Sequence, residues 1–254
     1  MNFIKKVVAA IVIMALVTIA IALFLTSDIT KTADKFFDAV KSNNYDEAYS
    51  LLSTDFKKDT SKRQLKAYLE KHALNQAKST SWNSRSIKGN RAKVTGTLST
   101  ESGMSIPVMV TFAKGTEWKI NAIRKLLAGV RDTEQIPSQE EQRKLIGETM
   151  HLFALSVKER SMEKIYNHLS NTWKRQWTMD QFEKSFSPFY TFGSELMVVD
   201  RITPKFPENA TINKDDLLVI KGIYPTHPKQ LFFTHKYIYE GLGWKLLGLK
   251  VEVK

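Results

Sequence analysis

Apolar residues recur along this chain at two periods, and the change from one period to the other happens twice. Ala33, Phe36, Phe37 and Val40 fall at i, i+3, i+4 and i+7, which is the stripe of an amphipathic helix. Asn43-Asn44 breaks that helix, and Tyr45 to Ser53 predicts a short second one burying Ala48, Tyr49 and Leu52. Ser61-Lys62-Arg63-Gln64 has the spacing of a capping box and starts a third helix carrying Leu65, Tyr68, Leu69 and His72. After Trp82 the period drops to two. Ala92 to Leu98 and Ser105 to Phe112 read as strands, Glu101-Ser102-Gly103 and Lys114-Gly115-Thr116 as turns, and Trp118 to Ile123 as a closing strand.

The same order returns 117 positions later, measured from Phe36 to Phe153. Met150, Phe153, Ala154 and Val157 repeat the first stripe. Ala48, Tyr49, Leu52, Ser53 and Phe56 map onto Ile165, Tyr166, Leu169, Ser170 and Trp173, and Lys57-Lys58 onto Lys174-Arg175. Thr178-Met179-Asp180-Gln181 supplies the second capping box, ahead of Phe182, Phe186 and Phe189. Strands are predicted at Leu196 to Ile202, Leu217 to Ile223, Leu231 to Tyr239 and Trp244 to Val251. The offset has grown to 126 by the last of these, from Trp118 to Trp244, so the second copy is longer. The insertion is placed in Pro204 to Asp216, which is rich in Pro, Asn and Asp. An internal repeat of this length predicts a duplicated domain.

Three helices followed by an antiparallel sheet, twice, is an α+β class. The predicted domains are residues 30–128 and 139–254, joined by a short linker, 129–138, which ends on the capping sequence Ser138-Gln139-Glu140-Glu141. Ahead of them, Val7 to Leu25 is an apolar run broken only by Thr18, and at 1.5 Å per residue it spans roughly 28 Å, about one bilayer core. Lys5 and Lys6 place the 1–6 tail in the cytoplasm. The expected fold class is therefore an N-terminal transmembrane helix followed by two tandem α+β domains. The expected location is the bacterial cytoplasmic membrane, single-pass, with the lipid bilayer contacted through Val7 to Leu25 and both domains outside. A cleavable signal peptide is the alternative, but the run exceeds its usual apolar core and lacks a small-x-small site.

Composition narrows the chemistry. The apolar (43%) and charged (25%) fractions are those of a folded chain. With no cysteine, a structural disulfide, a thiolate metal site and a cysteine nucleophile are excluded. The net charge of +12 is unevenly placed: 18 Lys and Arg face 10 Asp and Glu in residues 27–128, against 18 and 16 in residues 129–254. No nucleic-acid recognition motif accompanies the excess, so no specific nucleic-acid partner is expected.

The Phe-Phe-x-x-Val helix, the helix beginning Asn44-Tyr45-Asp46-Glu47-Ala48-Tyr49, and the closing Glu117-Trp118-Lys119-Ile120 strand resemble the nuclear-transport-factor-2-like (cystatin-like cone) superfamily. They are similar in particular to its extracytoplasmic domains in bacterial membrane-anchored proteins. The resemblance implies a curved sheet wrapped round the long helix, with or without a pocket. The superfamily holds isomerases and dehydratases beside non-catalytic binding and assembly domains, and tandem domains of this kind resemble assembly subunits of secretion machines.

Catalysis in such a cone needs paired acid–base groups. The histidines available are His72, His151, His168, His227 and His235. His72 becomes Phe189 in the second copy, as a packing position would; His235 alternates with Phe233 and Tyr237 on a predicted strand, and Leu231 to Tyr239 holds no carboxylate. No His-x-x-x-His or Glu-x-x-His pattern predicts a metal, and no glycine-rich fingerprint predicts a nucleotide. No cofactor is therefore expected. Tyr49, Phe56, Tyr166, Trp173 and Trp177 are the candidate pocket or interface residues, with a core role as the structural reading; an exposed Trp177 would point to a protein contact. The expected function is non-enzymatic: a binding or assembly protein presenting two domains to a protein partner or to a second copy. Binding or conversion of a small apolar ligand in a cone is the alternative.

Overall fold

The computed structural model of the chain describes residues 27–131 and 134–254, which fall into two compact units divided between Ala128 and Gly129. In the first unit, α1 (Ser27–Lys41) is followed by three short helices, α2 (Tyr45–Ser50), α3 (Thr54–Asp59) and α4 (Lys62–Lys71). A 3-10 turn, Leu74–Gln76, leads into the sheet. Its strands β1 (Ala77–Lys88), β2 (Arg91–Thr100), β3 (Ser105–Lys114) and β4 (Trp118–Lys125) pair antiparallel in chain order. The α1 stripe of Ile29, Ala33, Phe36, Phe37 and Val40 is buried, as are Val94, Leu98, Val108, Val110, Phe112, Ile120 and Ile123 on the strands. Asp34 on α1 accepts from Thr80 Oγ1 (2.6 Å) and Trp82 Nε1 (2.7 Å), fastening the helix to β1.

Local chemistry sets the element ends. Asn43 takes a positive φ of 56°, a conformation Asn tolerates better than most residues. Asn44 then caps α2 by accepting from Glu47 N, 3.2 Å. Ser61 and Gln64 form the reciprocal capping box of α4.

The second unit repeats this plan with α5 (Gln139–Glu159), α6 (Glu163–His168), α7 (Asn171–Lys174) and α8 (Met179–Phe186). Strands β5 (Thr211–Ile212), β6 (Leu218–Tyr224), β7 (Leu231–Glu240) and β8 (Gly243–Val253) form its antiparallel sheet. Thr178 and Gln181 form the equivalent capping box on α8. Both sheets bulge at an equivalent place on the third strand, between Thr111 and Phe112 opposite β4 and between Lys236 and Tyr237 opposite β8. Phe112 pairs with Ile120 and Tyr237 with Leu246. The inward positions Val108, Val110 and Phe112 of the first unit therefore become Phe233, His235 and Tyr237 in the second.

The structure corrects the expected fold class. Among the described residues no helix is long and apolar enough to cross a membrane. The longest, α5, has 21 residues but carries Glu140, Glu141, Arg143, Lys144 and Glu148, so it is amphipathic and buries one side only. The described chain is an α+β fold with two four-stranded antiparallel sheets and helices. The anchor assigned to Val7–Leu25 and the 1–6 tail lie outside the described residues.

Two smaller expectations also change. Among the described residues four helices, not three, precede each sheet: α3 and α7 are short elements capped by Ser53 and Ser170, whose side chains accept from Phe56 N and Trp173 N. The strand predicted at Leu196 to Ile202 is instead the end of a 3-10 segment, Ser187–Asp200. Pro188 sits at its start, Gly193 turns it with φ 50°, and Phe189 and Phe192 before the turn, then Leu196 and Val199 after it, meet the core at the spacing of three that aligns along a 3-10 helix.

Candidate functional site

Residues kept in both copies turn out to be structural ties. Tyr49 donates from its hydroxyl to Thr60 O at 3.0 Å, and Tyr166 donates to Trp177 O at 2.9 Å. Ser53 N donates to Ile120 O and Ser170 N to Leu246 O, both at 2.8 Å, clamping the third helix of each unit to its last strand. Lys57 Nζ and Lys174 Nζ each donate to a carbonyl seven residues back, Ser50 O and Asn167 O. Phe56 and Trp173 are buried at 1% and 8% exposure. Four of the five candidate residues, Tyr49, Phe56, Tyr166 and Trp173, therefore belong to the fold. Removing either tyrosine hydroxyl, by Tyr49→Phe or Tyr166→Phe, is expected to cost about 1 kcal/mol in denaturant melts, with the two losses alike because the ties are.

Trp177 behaves differently. It stands at the place of Thr60, which is 6% exposed, yet Trp177 is 36% exposed. Its ring meets Trp173 edge to face, with centroids 6.4 Å apart, and Trp173 in turn meets Phe182 at 5.5 Å. Trp177 is thus an exposed indole held against a buried aromatic row, so little rotamer freedom remains for it to lose on contact with a partner.

The second divergence is inside the second unit. Tyr237 OH lies 2.9 Å from Thr149 Oγ1, 3.1 Å from Leu145 O and 3.2 Å from His235 Nδ1. A phenol has one proton, so donation to Leu145 O leaves Tyr237 oxygen to accept from Thr149 and from His235 Nδ1–H. That assignment makes Nε2 the bare nitrogen of a neutral imidazole. Nε2 is buried and has no hydrogen-bond partner, and the residue is 0% exposed. Burial pushes the His235 pKa down to about 3. Burial likewise raises the Tyr237 phenol, the Thr149 hydrogen bond opposing, so both groups are neutral at pH 7.

This trio meets the geometric demand for a hydrogen-bonded acid–base pair but offers it no route to solvent. Tyr224, on the neighbouring strand, is raised by burial and by Asp200, and Asp200 itself engages His151 Nδ1 at 3.0 Å near the surface. His168 faces Glu148 at 3.7 Å, with burial the leading cause of its lowered pKa and Glu148 opposing it. His72 caps α4 and meets the Tyr68 ring edge to face, with centroids 4.5 Å apart. The buried carboxylate Glu240 is absorbed by the start of α7, accepting from Asn171 N (2.8 Å) and Thr172 N (3.1 Å). Among the described residues no group of three His, Cys, Asp or Glu side chains could hold a metal ion.

No family model matches this chain, and no curated protein matches it either. Among solved structures, it is similar over 92% of its length to 94% of a cystatin-like protein from Ruminococcus gnavus ATCC 29149, at 8% identity and a TM-score of 0.30. A likeness that low leaves fold and function to be read from the chain's own geometry.

Proposed function

We propose that the chain is a non-enzymatic binding or assembly protein that uses its duplicated α+β units for protein–protein interaction. The observation that carries this reading is Trp177, an exposed indole at a position the first unit buries. Tryptophan braced on a packed neighbour is the type of residue that dominates binding energy at protein interfaces. The packing of His235 at 0% exposure also speaks for binding over chemistry, since a general acid or base must reach its substrate.

The proposal predicts that Trp177→Ala, in the full chain isolated from its native cells after crosslinking, loses a discrete partner or self-association at a cost of about 2 kcal/mol or more in affinity. The tie through Trp177 O is a backbone contact and survives the substitution, so the thermal midpoint should fall only by what the lost edge contact with Trp173 is worth, about 1 kcal/mol. An unchanged crosslinking pattern would remove the reason for the proposal. A fall in midpoint as large as the fall in binding would mark Trp177 as a core residue.

A further inference from the structure

We infer that the open edge of the first unit's sheet accepts an extended acidic segment of a partner protein as a fifth strand. β1 is 12 residues long and has β2 as its one neighbour in the sheet, so its other side presents backbone N–H and C=O groups without ladder partners. Bulges at Ala77/Ser79 and Trp82/Ser84 interrupt the strand, but Ser84 to Lys88 pairs without a shift against Thr95 to Arg91. From Asn83 to Lys88 every residue except Ser86 is exposed. That regular stretch matches an ordinary strand in length.

Charge selects the occupant. β1 carries Lys78, Arg85 and Lys88 and no carboxylate, and Lys41 adds a cation by donating to Lys78 O, 3.4 Å. A second copy of β1 would bring cations against cations, which is unfavourable across a ladder. Side chains alternate along the strand, so Arg85 and Ile87 share one face and Ser84, Ser86 and Lys88 the other. Ile87 is 36% exposed and gives an apolar contact between the cations. The fitting segment therefore carries carboxylates three residues apart, opposite Lys88 on one face and Arg85 on the other, with a β-branched apolar residue opposite Ile87.

The start of the strand adds a second feature. A groove of about 480 Å³ there is lined by Lys41, Asn75, Gln76, Ala77, Glu101 and Ser102. Asn75 Oδ1 is buried in this neighbourhood with no donor, and a main-chain N–H of a segment running on past Ala77 would supply one. Glu101 is the anion of the groove, so the acidic preference belongs to the Ser84–Lys88 half. At the corresponding end of the second unit's sheet the described residues form a shorter edge: β6 is flanked by the two-residue β5, Thr211–Ile212, and a bridge from Lys205 to Ile223. The site lies in the other unit from Trp177, and its failure would leave the Trp177 reading untouched.

The test uses the full chain and three labelled peptides: one with the core Glu-Val-Thr-Glu, one with Lys-Val-Thr-Lys in its place, and the first with a central proline. Anisotropy should show the acidic peptide binding, weakening with salt, and shifting the amide signals of Ser84 to Lys88. The proline peptide, lacking an N–H, should bind less tightly. The exposed double variant Arg85→Glu/Lys88→Glu should bind the acidic peptide about tenfold more weakly or worse, with an unchanged melt. Equal binding of the basic peptide, equal binding by the double variant, or acidic binding that shifts amides elsewhere would each overturn the proposal. So would binding to anionic lipid vesicles without binding to the acidic peptide.

Discussion

Lowering the pH from 7 to 4.5 is expected to loosen the second unit before the first, and His235→Val is expected to remove most of that difference. His235 has its folded pKa pushed down to about 3 by burial, against about 6.5 for a solvated imidazole. Between those values the unfolded chain binds a proton that the folded chain does not. The stability that depends on neutral His235 is therefore complete above about pH 6.5 and lost as pH falls, at up to about 1.4 kcal/mol per pH unit. By pH 4.5 the loss approaches about 2–3 kcal/mol, a large share of an ordinary domain's stability. His168, also lowered, acts in the same direction in the same unit. In the first unit His72 is lowered too, by burial and then by Lys125 and Lys71, but it is half-buried and its effect is correspondingly smaller. Valine is the residue of the first copy at this place, Val110, and it removes the unpartnered Nε2 as well. Amide exchange read separately for α5 to β8 and for α1 to β4 checks this. Equal acid sensitivity of the two units, or no gain from His235→Val, would show that the trio does not govern the second unit.

Gly96→Ala should be the most damaging single methyl in the first unit, and Gly222→Ala its weaker counterpart in the second. A Cβ on Gly96 would stand 2.1 Å from Ser81 O and 2.8 Å from Trp82 Cε3. Ser81 O belongs to a strand that β2 pairs with directly, since Trp82 lies opposite Gly96, so relief requires β1 to move. On Gly222 the nearest atom is Phe233 Cζ at 2.3 Å, the far end of a side chain, with Lys205 O at 2.8 Å. Overpacking of this sort costs about 1–3 kcal/mol and sometimes more. Gly222→Ala is expected within that range and Gly96→Ala at or above its top. Urea melts with the two units followed separately give the comparison, and equal costs would mean β1 yields more easily than its pairing implies.

Most of the scaffold was legible because its signals are periodic. The stripes from Ala33 and Met150 outline α1 and α5, and the two capping boxes start α4 and α8 at the expected residues. Helices α3 and α7, with 6 and 4 residues, are too short to display a 3.6-residue period. The segment at Leu196 was misread because Leu196, Val198 and Val199 look like a strand by composition. Its actual course is set further back, at Pro188 and Gly193. The site was less legible than the scaffold. Alternation placed His235 between Phe233 and Tyr237, yet the bare Nε2 depends on Leu145 and Thr149, some ninety positions away. The exposure of Trp177 likewise follows from how α7 meets α8, which no local pattern encodes.

The most direct measurement is site-specific photocrosslinking in living cells, with a benzophenone-bearing phenylalanine, which keeps an aromatic ring at the site, placed at position 177 or at position 198. Trp177 and Val198 are 36% and 37% exposed in the same unit, so random collision would label both alike. Binding through the diverged surface predicts one discrete adduct from position 177 and none from 198. Equal smears from both positions, or no adduct from 177, would contradict it.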